Sequence, residues 1–167
     1  MPHPISELGF LHTAVSIAAA LAGFYNLFRY RRFTVSEHSG KVYLALLVAS
    51  VLSSFGLSST GGFNIGHALG ILALLAIGGA MLAPKIGGLG RATKYISMFL
   101  FNLTFFLLFV PGINETLTRL PVSSPLAAGP ESPLVRGVLA GWLVVFLVGT
   151  ALQGLWLYFK TRRSAIA

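Results

Sequence analysis

The chain has 167 residues, 55% of them hydrophobic and 10% charged, with a mean hydropathy of +0.81. That balance is too apolar for a water-soluble domain of this length and places the protein in a membrane. A formal charge of +8 would suit nucleic acid, but the basic residues fall in short clusters beside apolar runs, which excludes a continuous nucleic-acid face. With no cysteine and no aspartate in the sequence, disulfides, thiolate metal sites and Ser-His-Asp catalysis are excluded as well.

The apolar runs predict an all-α polytopic membrane protein, a single transmembrane domain over 1–167 with five helices at about 5–28, 42–57, 63–82, 95–110 and 134–159. The first run is followed at once by Arg29, Arg31 and Arg32. It lacks a basic leader and a small-residue cleavage site, so it reads as a retained helix and not as a signal peptide. The second is short and serine-rich, with Ser50, Ser53 and Ser54 toward its end and SSTGG as a turn after it. The third, GGFNIGHALGILALLAIGGAML from Gly61 to Leu82, carries His67 near its start and is closed by Pro84. The fourth is dense in phenylalanine around Asn102, which needs a hydrogen-bond partner, and Pro111 with Gly112 is expected to end or bend it. A polar stretch from Asn114 to Pro133 reads as the longest loop, and the fifth run ends in Lys160, Arg162 and Arg163.

Lysine and arginine gather at three places: Arg29, Arg31, Arg32 and Lys41; Lys85, Arg91 and Lys94; Lys160, Arg162 and Arg163. Only Arg119 and Arg136 fall elsewhere. With five spans this asymmetry puts the N-terminus outside and the C-terminus in the cytoplasm, with anionic lipids of the inner leaflet as partners of the basic clusters. Tyr25, Tyr30, Tyr43, Tyr95 and Tyr158 then all lie toward the cytoplasmic ends, as interfacial anchors do.

Small and polar residues mark the faces that meet protein. His12, Ser16, Ala19, Gly23 and Asn26 form one stripe of the first helix; Asn64, His67, Gly70, Leu74 and Gly78 share a face of the third. Gly66-x-x-x-Gly70 and Gly137-x-x-x-Gly141 are close-approach patterns.

His12 and His67 stand at similar depth below the outer ends of their helices, and this pair is the constellation that points to chemistry. Two imidazoles from neighbouring helices are what a b-type haem takes as axial ligands, with Gly66 and Gly70 giving the macrocycle room. The same pair, with Glu7 or water as a third ligand, would serve copper or zinc. Against this stands a structural role, each histidine bonding across a helix contact. His38, in the basic first loop, and His3, between two prolines, read as solvated or headgroup-facing.

Leu11-His12 opening the first helix, a basic loop with His38, and Gly40-x-x-Tyr43 leading into a serine-rich second helix resemble small bacterial predicted inner-membrane proteins in which a histidine and Gly-x-x-Tyr precede the second helix. Here Ser39 follows His38, where an arginine is usual, and the spacing is shorter. The resemblance covers the first half of the chain and implies a bacterial inner-membrane location. Three functions remain open from the residues. One is a haem or metal protein, with possible electron transfer, through His12 and His67. The second is a non-catalytic accessory subunit of a larger membrane complex or a homo-oligomer, and the third is a small transporter. No catalytic set is legible, so the reading leans away from an enzyme.

Overall fold

The structure is a computed structural model and describes residues 6–57 and 62–163, without the Arg163 side chain. His3, the start of the first predicted helix at Ile5, most of the SSTGG turn and the last four residues lie outside the described residues. The elements are five α-helices: α1 (Glu7–Tyr30), α2 (His38–Ser54), α3 (Ile65–Leu82), α4 (Ala92–Arg119) and α5 (Pro133–Arg163), with a 3-10 turn at Ala83–Lys85 after α3.

The first helix starts where the sequence supplies a cap. The Ser6 side chain accepts from the Gly9 N–H, and Glu7 places a negative charge on the first turn, where exposed N–H groups favour it. At the other end Arg31 adopts the left-handed conformation (φ 57°) and its N–H closes on the Leu27 carbonyl. Asn64 caps α3 reciprocally: its side chain accepts from the His67 N–H, while the His67 ring accepts from the Asn64 N–H.

Four helices, α1, α3, α4 and α5, are long and apolar enough to cross a membrane. The 17 residues of α2 extend about 26 Å at 1.5 Å per residue, shorter than the others. Neighbours run antiparallel. Along α1 and α2, His12 meets Ser50 and Ser53 while Asn26 meets Ser39. Ser97 near the start of α4 donates to the Ala80 carbonyl near the end of α3. Asn102 donates from α4 to Thr150 Oγ1 (3.1 Å) and Gln153 Oε1 (2.9 Å) on α5, which supplies the partner its sequence position demanded. The stripe on α1 faces protein as expected, Ala19, Gly23 and Asn26 being its buried residues.

Phe105 sits at the centre. Its ring lies 5.1 Å from those of Phe24 and Phe109, 5.6 Å from Phe33 and 6.3 Å from Tyr43 and Trp142, so it joins α1, the first connection, α2 and α5. Gly23 is what lets α1 come this close, because a Cβ there would overlap the Phe105 ring.

Three expectations need correction. The fourth helix does not stop at Pro111 but continues to Arg119, so the loop between α4 and α5 begins at Leu120. Proline removes only one N–H, and the turns beyond it are supported by the Glu115–Arg119 pair and by Thr118 donating to the Asn114 carbonyl. The second helix begins at His38, so this histidine belongs to a helix and not to the loop. Tyr43 is no interfacial anchor: it is buried, and its hydroxyl donates to Thr104 Oγ1 at 2.9 Å, since Thr104 spends its own proton on the Phe101 carbonyl.

Candidate functional site

Both candidate histidines meet the last turns of α2. On the side toward α1, His12 Nδ1 lies 3.0 Å from the Ser50 carbonyl and 3.0 Å from Ser53 Oγ. A carbonyl only accepts, so Nδ1 carries the proton and Nε2 holds the lone pair. Ser53 donates to the same carbonyl at 2.8 Å and accepts from the imidazole. One turn along α1, Ser16 donates to the His12 carbonyl and accepts from the Ser50 hydroxyl, both at 2.7 Å. The cluster clamps α1 to α2 with each hydroxyl satisfied, which is what apolar surroundings demand of polar groups.

His67 belongs to another face of the same α2 end. It is 7% exposed, its ring stacked on Phe55 at 5.5 Å and tilted against Phe63 at 5.6 Å. Its Nδ1 accepts the Asn64 N–H at 3.3 Å, so the neutral ring carries its proton on Nε2, a buried atom with no hydrogen-bond partner among the described residues. At about 100° of rotation per residue, Ser50 and Ser53 point one way from α2, and Val51, Ser54 and Phe55, which meet α3, point another.

The two histidines therefore meet the same end of α2 but are not alike. His12 holds the tautomer of metal-ligating histidines, Nδ1–H on a carbonyl and Nε2 unbonded among the described residues, whereas His67 presents Nε2–H, which has no lone pair to give. Beside His67, a Cβ on Gly70 would stand 3.1 Å from Val51 Cγ1, and one on Gly66 3.0 Å from Asn64 Oδ1. These glycines serve the α2–α3 contact and the Asn64 cap. Glu7 lies exposed in the first turn of α1. Among the described residues no three of His, Cys, Asp and Glu are grouped as a metal site.

The sequence reading missed the Asn64-x-x-His67 box, although a cap residue followed three positions later by a side-chain acceptor is a legible signal. It also missed what α5 presents. Thr150 and Gln153 turn toward α4, as do Trp142, whose Nε1 donates to the Phe106 carbonyl, and Phe146. The Gly137-x-x-x-Gly141 pattern stands about half a turn away, with no atom within 4 Å of a Cβ at either glycine. No residue in the most apolar stretch of α5 is buried by the rest of the bundle.

The chain matches no protein-family model, no curated protein and no solved structure.

Proposed function

We propose that the protein is a non-catalytic subunit of a membrane assembly, in which the outward face of α5 docks another transmembrane helix. All five helices cross the bacterial inner membrane in this reading, with the N-terminus outside and the basic end in the cytoplasm beside anionic lipids. The observation that carries it is the placement of Gly137 and Gly141 opposite α4. Small residues four apart let two backbones approach closely in lipid, where packing and not water exclusion drives association. The orientation is supported by the distribution of basic residues: ten of the twelve Lys and Arg fall in the three clusters of one end, and Arg119 and Arg136 at the other.

In mild detergent the protein should be recovered in a particle heavier than its own 17.8 kDa chain. Gly141→Leu should release it as a monomer of unchanged helix content, because the substitution meets nothing inside the chain and blocks close approach outside it. Recovery of the wild type as a monomer would overturn the reading.

A second reading is favoured by His12 alone, whose Nε2 lone pair suits one ligand position of a haem, copper or zinc centre. A Soret band or bound metal in the same particle, lost in His12→Ala, would establish it. The subunit reading expects neither.

A further inference from the structure

A cleft of about 200 Å³ opens at the basic end of the bundle, lined by Arg31 from the end of α1 and by Leu152, Gln153 and Trp156 of α5. The lining is mainly apolar, and three of its residues, Arg31, Gln153 and Trp156, carry N–H donors. Arg31 has no carboxylate partner among the described residues, whose two ion pairs lie elsewhere on Arg119 and Arg136. Gln153 has its oxygen engaged by Asn102, which leaves its NH₂, and the Trp156 N–H has no acceptor among the described residues. The Lys160 ammonium stands 5.1 Å from the centre of the Trp156 ring. A guanidinium, an amide NH₂ and an indole N–H without an acceptor among them match the oxygens of a phosphate ester, and Leu152 matches an acyl chain.

We propose that this cleft binds one anionic phospholipid, its phosphate on Arg31 and its acyl chain along Leu152. The site rests on the membrane placement given above but not on the orientation, since a bilayer of uniform composition presents the same lipid to both ends.

The test uses tryptophan quenching by brominated acyl chains in nanodiscs. The chain has two tryptophans, so Trp142→Phe leaves Trp156 as the reporter; should that variant fail to fold, the difference between wild type and Trp156→Phe gives the same signal. Brominated phosphatidylglycerol diluted in phosphatidylcholine should quench Trp156 as if enriched about fivefold over the bulk, the preference expected of one well-placed cation. Arg31→Ala should return quenching to the bulk value, and Lys85→Ala should leave the enrichment intact. Equal quenching by brominated phosphatidylcholine, or a preference that survives Arg31→Ala, would overturn the site while leaving the membrane placement standing. Added inorganic phosphate should not displace the lipid; displacement would overturn the lipid as occupant. A chain that fails to enter nanodiscs would overturn both readings.

Discussion

Phe105→Ala should lower the stability of the bundle by about 2–3 kcal/mol, read as an earlier transition in SDS-induced unfolding from mixed micelles. In water a buried Phe→Ala costs about 3–5 kcal/mol, part of it the return of apolar surface to solvent. In lipid that part shrinks, because the acyl chains are as apolar as the core. The cavity term remains: roughly 100 Å³ at about 24 cal/mol per Å³ gives about 2.4 kcal/mol. The ring is 5% exposed and touches residues of α1, the first connection, α2, α4 and α5, so no single neighbour can close the hole. A loss below about 1 kcal/mol would mean that the bundle is not organised around this residue.

Gly40→Ala should be the most damaging of the glycine-to-alanine changes, at a net cost of about 2 kcal/mol. A Cβ at Gly40 would overlap the Thr34 carbonyl oxygen, and the obstacle is backbone, which cannot rotate aside. Overpacking of that kind reaches about 3 kcal/mol or more, against which alanine returns about 0.5–1 kcal/mol of helix propensity. The same substitution at Gly78, inside α3 with nothing within 4 Å of its Cβ, meets no obstacle and should stabilise by up to that amount. Opposite signs for the two, read in the same unfolding assay, check the register of the first connection against α2. Equal effects would contradict it.

How far the sequence could be read depended on whether a residue's partner was implied by local pattern. The stripe on α1 was legible because small and polar residues recur at three and four, and Asn102 announced a partner because an amide among phenylalanines cannot go unpaired. Which residues would answer Asn102 was not legible, since Thr150 and Gln153 lie 48 and 51 positions away. Tyr43 was misread because position near a helix end is a poor guide to burial: the aromatic packing of Phe33 and Phe105 covers it. Pro111 was given too much weight as a breaker for the same kind of reason, the supporting pair Glu115–Arg119 lying beyond it.

For the histidines, position along the helices was legible but rotation was not. Position follows from counting residues, whereas the face each ring meets depends on how α2 packs against α1 and α3. Tautomers are further still from the sequence, being set by the Ser50 carbonyl for His12 and by the Asn64 N–H for His67. The small-residue pattern on α5 was visible as a motif, but only the α4 contact shows that it points away from its own chain.

The claim that α5 docks another transmembrane helix through this face is tested most directly by a cysteine scan in native membranes. The chain has no cysteine, so each variant carries a single thiol. Val144 and Val148 lie on the glycine face and are 58% and 53% exposed; Leu147, at 53%, is as exposed but lies on the flank. Cysteine at 144 or 148 should form cross-links to a neighbouring chain with a short bifunctional reagent, cysteine at 147 should not, and adding Gly141→Leu should abolish the cross-links. Cross-linking that is equal at all three positions, or absent from all three, would contradict the docking face.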